Sequence, residues 1–219
     1  MDEELYRKTL SQYNDPTFAR QYATNIADLN DEQSLNEFLA LVPAGASILD
    51  VACAAGRDSK LLSDKGYDVT GIDQSGALIK IAEKEVPAGK FIQDDFTASP
   101  FNDDTFDAIW CNAALVHLPS QAVVAKALSE FRRVLKPGGL IMINTKARLQ
   151  EQPSTAVKKD VLSDKDRYFR YQSEQEFVAL CEKTGFEIIK HRVTNEKDDP
   201  TRPVSRDENW LFVIAKKPV

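Results

Sequence analysis

From about residue 46 onward, short apolar runs alternate with segments whose apolar residues recur every three or four positions. Continuous apolar runs suit buried strands, and the longer period suits helices lying over them. The alternation therefore predicts a parallel sheet covered by helices. Ser47-Ile48-Leu49-Asp50-Val51 reads as the first strand, with Ser59 to Lys65 as the start or body of the helix behind it. Tyr67 to Asp73 reads as the second strand, followed by a helix over Ser75 to Glu85. Lys90 to Gln93 is a short third strand, Phe106 to Cys111 a fourth, and Gln121 to Leu135 the next helix. Pro137-Gly138-Gly139 is expected to stop that helix, because proline has no N–H and glycine accepts a left-handed backbone. Leu140 to Asn144 is then the fifth strand.

The flanks have a different character. Residues 147–172 open with a polar stretch of mixed charge and read as a long loop or lid. Ser173-Glu174-Gln175-Glu176 resembles a capping box ahead of a helix reaching Thr184. Phe186 to Val193 and Trp210 to Ala215 are strand-like runs separated by a charged segment holding Pro200 and Pro203. They are expected to pair as a hairpin at the sheet edge. Asp2 to Leu41 looks helical and carries Tyr6, Tyr13 and Tyr22. The division expected is one domain over 1–219. It comprises a helical cap (1–45), a core (46–146), the loop (147–172), and a final helix and hairpin (173–219).

Composition narrows the class. With 219 residues and 42% apolar content, one α/β domain can bury about 70% of its unfolded surface without disulfides. No run approaches the roughly 18–20 apolar residues of a membrane span. Met1-Asp2-Glu3-Glu4 lacks the basic, then apolar, character of a secretory signal, so a cytoplasmic location is expected. Cys53, Cys111 and Cys181 lie far apart with two histidines in the whole chain. That predicts buried thiols and no metal site. A net charge of −6 argues against a nucleic-acid partner, although a local basic patch stays open.

The chemistry concentrates at three strand ends. In Asp50-Val51-Ala52-Cys53-Ala54-Ala55-Gly56-Arg57-Asp58 a strand runs into small residues and then a helix. Such a turn lets a ligand approach the backbone at a helix N-terminus, or it is simply a tight turn. Asp73, ending the second strand in Gly71-Ile72-Asp73-Gln74, could accept from both hydroxyls of a ribose, or could cap the helix beginning near Ser75. At the end of the third strand, an aspartate of Asp94-Asp95-Phe96 could accept from an exocyclic amine, with the Phe96 ring or backbone beside adenine.

Taken in order, these elements resemble the class I S-adenosylmethionine-dependent methyltransferase family. Its first motif is an acid followed by three alternate glycines, and here Asp50, Ala52, Ala54 and Gly56 hold those places. Asp73 matches the acid of the second motif and Asp94-Asp95-Phe96 the adenine-side motif. Phe101 to Ile109 resembles the lead into the fourth strand, and Arg133 to Gly139 the turn before the fifth. The resemblance covers roughly residues 20–217. It implies a Rossmann-like, seven-stranded, mostly parallel sheet of order 3-2-1-4-5-7-6 with the last strand antiparallel, and an N-terminal helical cap. The implied cofactor is S-adenosylmethionine, giving S-adenosylhomocysteine. Asp50, Ala52, Ala54, Gly56, Arg57, Asp73, Gln74, Asp94, Asp95, Phe96, Asn112 and Ala113 are the implied cofactor contacts. Two motif glycines are alanines. Positive φ at either costs on the order of 1 kcal/mol; a need for closeness alone puts each methyl against the cofactor.

Transfer from a sulfonium is an in-line displacement, so the protein mainly orients the acceptor and excludes water. A base is required only if the acceptor is protonated at neutral pH. His117, after the fourth strand, is the candidate base, and a helix-start histidine that is exposed or bonded to backbone is the competing reading. Lys146 and Arg167, with Tyr168, Phe169, Arg170 and Tyr171 following, put basic and aromatic side chains where an anionic or aromatic acceptor would bind. The aromatics equally serve to pin the lid. Tyr13 and Tyr22 either cap the site or pack the helices. Ala108 to Pro119, with Arg206 to Val213, resembles a bacterial subgroup of small methyltransferases. The expected partner is a small-molecule acceptor, with no membrane, and the chain is a monomer or homodimer. Two alternatives stay open: a non-catalytic cofactor-binding protein or degenerate, cofactor-free relative on the same fold, and a protein or RNA methyltransferase. A nicotinamide oxidoreductase is disfavoured because no G-x-G-x-x-G follows the first strand.

Overall fold

The computed structural model describes residues 2–27, 29, 31–149, 151–159, 165–198 and 207–219. Three helices lead: α1 (Asp2–Asn14), α2 (Pro16–Ile26) and α3 (Glu32–Leu39). The single helical stretch expected over Asp2 to Leu41 is thus broken. Asp15 caps α2 through its carboxylate, which accepts from the Thr17 and Phe18 N–H groups, and Pro16 takes the first turn, where its missing N–H costs nothing. Then come β1 (Ser47–Val51), α4 (Arg57–Asp64), β2 (Asp68–Asp73), α5 (Gly76–Glu85), β3 (Lys90–Gln93), β4 (Phe106–Asn112) and α6 (Gln121–Val134). The chain ends with β5 (Leu135–Lys146), β6 (Thr155–Lys159), β7 (Asp166–Arg170), α7 (Glu174–Lys183), β8 (Glu187–Asn195) and β9 (Asn209–Lys216).

Seven strands form one sheet in the order β3-β2-β1-β4-β5-β9-β8. Its first five strands are parallel and β9 runs antiparallel to both neighbours. Counting only the strands of this sheet, the order is the expected one. Alternation along each strand divides the core. Ile48, Trp110, Met142 and Phe212 pack with Phe38 of α3 and Leu62 of α4. Leu49, Ile109, Ile141 and Val213 pack with Leu128 and Phe131 of α6 and Phe177 of α7. The register Asp50↔Gly71 and Asp50↔Trp110 aligns the carboxyl ends of β1, β2 and β4, and Asn112↔Asn144 adds β5.

Three expectations need correction. Helix α6 ends at Val134, one residue short of the expected Leu135, and β5 opens at Leu135 and not at the expected Leu140, so no turn separates the two elements at Pro137-Gly138-Gly139. Phe106 pairs with Leu135 and Ala108 with Leu140, so Lys136-Pro137-Gly138-Gly139 bulges out of the ladder within the strand. The segment 147–172 is not all loop, since β6 and β7 pair antiparallel from Thr155↔Arg170 to Lys159↔Asp166. Ser173 is the N-cap of α7, but its side chain makes no cap hydrogen bond, so the capping box does not form. Residues 160–164 of the expected loop, and Pro200, Pro203 and Arg206 of the C-terminal segment, lie outside the described residues.

Helix α1 roofs the sheet's carboxyl edge by joining two neighbours. Towards β7, the Tyr168 N–H donates to Thr9 Oγ1 at 3.2 Å and Gln12 Nε2 to the Asp166 carbonyl at 3.1 Å. Towards α5, Ser75 Oγ donates to the Tyr13 carbonyl at 2.7 Å. Tyr13, Phe18 and Ala19 bury against Ala55 and Leu78. No helix among the described residues is long and apolar enough to cross a membrane.

Candidate active site

The loop leaving β1 alternates between ordinary and left-handed backbone. Ala52, Ala54 and Gly56 have φ of 54°, 49° and 82°. The glycine place that keeps its glycine also has no room: a Cβ on Gly56 would lie 3.1 Å from Ala82 Cβ. For the two alanines the sequence left open a cost in φ or a cost in closeness. The backbone carries the first, and both alanines also line the cavity beside the loop. Ala113, at the end of β4, repeats the conformation with φ 59° and donates its N–H to the Asn144 carbonyl at 2.8 Å.

Asp73 closes the loop against β2. One carboxylate oxygen accepts from the Ala54 N–H at 3.0 Å and the other from the Ser75 N–H at 2.7 Å. It is not the cap of α5; Ser75 is, accepting from the Leu78 N–H at 3.1 Å. Burial lifts Asp73 to about 6 against these two bonds. A carboxylate has about four lone-pair positions, so two bonds leave capacity for further donors.

Two more carboxylates join it. Asp50 accepts from Ser59 Oγ at 2.6 Å. Burial, reinforced by the charge of Asp58, raises it well above the carboxylate range. Asp58 is the junction of the cluster: Arg57 Nε (2.6 Å), Trp110 Nε1 (2.9 Å) and Asn112 Nδ2 (3.0 Å) all donate to it. Burial pushes it up, but the Arg57 charge and these bonds hold it below its ordinary value.

These groups line one end of a cavity of about 230 Å³ under α1 and α2. The other end holds Tyr13, His117, Lys146, Arg167, Phe169 and Trp210. His117 is tied at both nitrogens. Its Nδ1 lies 2.6 Å from the Tyr168 carbonyl, which can only accept, so Nδ1 carries the proton. Nε2, 3.2 Å from Tyr13 Oη, is then the acceptor of the Tyr13 hydroxyl. An Arg167 N–H donates to the same Tyr13 oxygen. Burial, then the charge of Arg167, hold His117 down to about 3, which leaves a neutral imidazole at pH 7. Lys146 pairs with Glu208 at 2.8 Å, and its ammonium lies 5.0 Å from the Phe169 ring centre and 5.2 Å from that of Trp210. Burial lowers its pKa against the pull of Glu208.

Of the residues singled out from the sequence, Asp50, Ala52, Ala54, Arg57, Asp73, Gln74, Phe96, Asn112 and Ala113 line the cavity. So do His117, Tyr13, Tyr22, Lys146 and Arg167. Gly56, Asp94 and Asp95 are not among the lining residues. Gly56 shapes the loop, and Asp94 is exposed with its carboxylate on the Asp95 N–H. Asp95 accepts from Gln74 Nε2 at 3.0 Å and the Thr97 N–H at 2.8 Å, so it orients Gln74. Asp58, Glu196 and Trp210 were missed. For Asp58 the signal was an acid in the first turn of a helix that follows a small-residue loop. Glu196, buried, accepts from Trp210 Nε1 at 2.7 Å, a pairing that local sequence does not announce.

Residues 49–143 match the family model described as "Methyltransferase domain". A 2-methyl-6-phytyl-1,4-hydroquinone methyltransferase of Synechocystis is 32% identical over 215 residues, covering 94% of this chain. The chain spans 66% of that relative's length. A Methanosarcina mazei protein solved as a SAM-dependent methyltransferase superposes with TM-score 0.74 at 22% identity, over 88% of this chain and 99% of its own. The Burkholderia thailandensis 1,6-didemethyltoxoflavin-N1-methyltransferase, solved with 1,6-didemethyltoxoflavin and S-adenosylhomocysteine bound, gives 0.72 at 18% identity, over 98% and 88%. At such identities the likeness of structure speaks for the fold.

Proposed function

The chain belongs to the class I S-adenosylmethionine-dependent methyltransferase family, and from that premise we propose that it transfers the methyl group of S-adenosylmethionine to a small molecule held beneath α1. The observation that carries the reading is the carboxylate-lined end of the cavity. Asp50, Asp58 and Asp73 meet there beside a loop whose backbone is already bent to the left-handed form. These acids suit a ligand bearing a sulfonium and an ammonium, whose charge would draw Asp50 and Asp73 down from their raised values, while Asp58 is engaged by Arg57. Asp73 would take the ribose hydroxyls on its remaining lone pairs. Phe96 and Leu78 give apolar walls for the adenine, and Asn112 and Ala113 stand at the mouth towards the acceptor. When bound, the cofactor supplies an electrophilic methyl carbon: the acceptor's electron pair forms the new bond while the S–C pair returns to sulfur.

The remaining residues orient and enclose. Tyr13 and Tyr22 come down from the roof, with ring centres 5.1 Å apart and nearly perpendicular planes. His117, neutral and tied at both nitrogens, fixes the Tyr13 hydroxyl rather than taking a proton. A second reading, a degenerate site that no longer holds the cofactor, is favoured by Ala52 and Ala54 standing in two motif glycine places along the cavity.

Label transfer separates the readings. With methyl-labelled S-adenosylmethionine and a pooled small-metabolite extract, label should enter the small-molecule fraction. Label entering added protein or RNA instead would contradict a small acceptor. A well-folded protein that neither binds the cofactor nor puts label in any fraction would favour the second reading.

A further inference from the structure

The β6–β7 hairpin approaches the site from outside the seven-stranded sheet. Alternation along β7 sends Arg167 and Phe169 to the cavity, and Tyr168 and Arg170 to the loop that follows β4. Arg170 is not among the cavity's lining residues, yet it is 8% exposed and every printed contact of its guanidinium is a hydrogen bond or ion pair. Its Nε donates to the Leu118 carbonyl at 2.8 Å. Its Nη2 donates to the Pro119 carbonyl at 2.5 Å and to Tyr168 Oη at 2.8 Å. Tyr168 Oη donates in turn to the Pro119 carbonyl at 3.3 Å. Asp2 of α1 places a carboxylate oxygen 3.9 Å from the same Nη2. A planar fork of donors holds two carbonyls and a hydroxyl in fixed relation, which an ammonium on a flexible stem does not.

Those two carbonyls end a loop that supplies Ala113, Ala114, Val116, His117 and Leu118 to the cavity wall. Val116 also packs with Phe169 and Tyr171, so loop and hairpin share a small core. The link to the site then runs through one backbone group. The Tyr168 carbonyl takes the Nδ1–H of His117 at 2.6 Å, which leaves Nε2 to receive the Tyr13 hydroxyl at 3.2 Å. The Tyr168 N–H is used as well, on Thr9 Oγ1 of α1. Which imidazole nitrogen carries the proton is set by the bond the other atom of the ring makes, so the tautomer depends on where the loop lies against β7.

We propose that Arg170 is a positioning residue of the acceptor end: by clamping Leu118 and Pro119 onto β7, it keeps His117 in the one tautomer that receives the Tyr13 hydroxyl. It acts through the loop and Tyr168 and not on the ligands themselves. Its effect on methyl transfer rests on the proposed function above, whereas the state of the imidazole can be read on the protein alone.

The test is heteronuclear NMR of the ring nitrogens in the whole chain, with and without S-adenosylhomocysteine. The chain has two histidines, and His191→Gln assigns the remaining signal to His117. In the unaltered protein His117 should show one protonated and one bare nitrogen, well separated in shift. In Arg170→Lys the two shifts should converge as both tautomers become populated. Label transfer to the small-molecule fraction should slow about tenfold, with S-adenosylhomocysteine affinity kept. A purely structural Arg170 would lower the melting temperature and leave the nitrogen shifts in place, and that result overturns the inference. So would averaged nitrogens in the unaltered protein, or converging shifts with transfer unchanged. Should Arg170→Lys fail to fold, Tyr168→Phe removes only the hydroxyl between Arg170 and Pro119. Converging shifts there support the clamp, and unchanged shifts overturn it. None of these failures touches the methyltransferase reading. Failure of S-adenosylhomocysteine to bind would remove that reading, while the shifts of the free protein still decide the clamp.

Discussion

Ala52 and Ala54 hold a backbone conformation that their own side chains oppose. Left-handed backbone costs an L-residue about 1–2 kcal/mol. Glycine at the same place relieves that cost but loses about 0.5–1 kcal/mol through the greater freedom of the unfolded chain. Ala52→Gly and Ala54→Gly should therefore each stabilise the protein by about 0.5–1 kcal/mol, a rise in melting temperature of about 1–4 °C. A melting temperature unchanged or lowered in both variants would contradict the account of the loop. Much at this scale was legible. The resemblance to an acid and three alternate glycines placed Asp50, Ala52 and Ala54 at the cavity, and Asp73 in register opposite them. Asp95 was read as a direct cofactor contact; that its carboxylate is taken by Gln74 and Thr97 is something only the folded turn reveals. His117 shows the limit most clearly. Its position near the site could be read, but its neutrality comes from burial and the charge of Arg167 and its orientation from Tyr13 and Tyr168, all far away in sequence and close in space.

Among the elements, α5 ties the roof to the sheet through its N-cap residue. Ser75 caps the helix on the Leu78 N–H and donates to the Tyr13 carbonyl, so one hydroxyl serves two elements. Ser75→Ala should cost about 1–2 kcal/mol in chemical denaturation, combining a lost cap with an unpaired carbonyl. Hydrogen exchange in α1 should accelerate as well. Loss of stability without faster exchange in α1 would show that the hydroxyl does not hold the roof. The five parallel strands and their helices were readable because two periods of hydrophobicity separate cleanly. The β6–β7 hairpin was not, because Val157, Lys158 and Lys159 lie exposed and leave β6 without a buried apolar run. The start of β5 was hidden by Pro137-Gly138-Gly139, which signals a turn yet forms a bulge inside the strand. The break at Asp15-Pro16 carried a plain signal in the capping aspartate and the following proline.

Over the whole molecule, aligned strand ends, the left-handed loop and the roof of α1 and α2 enclose one cavity, with Asp50, Asp58 and Asp73 beside Arg57 at one end and Lys146 and Arg167 beside Glu196 at the other. Every further reading depends on the acidic end holding S-adenosylmethionine. The direct measurement is a calorimetric titration of the purified protein and of Asp73→Ala with S-adenosylmethionine, with NADH as the control. The account predicts a micromolar Kd for the unaltered protein, about tenfold or more weakening in Asp73→Ala with its melting transition retained, and no binding of NADH. A well-folded protein that ignores S-adenosylmethionine, or a variant that binds it as tightly as the parent, would contradict the assignment.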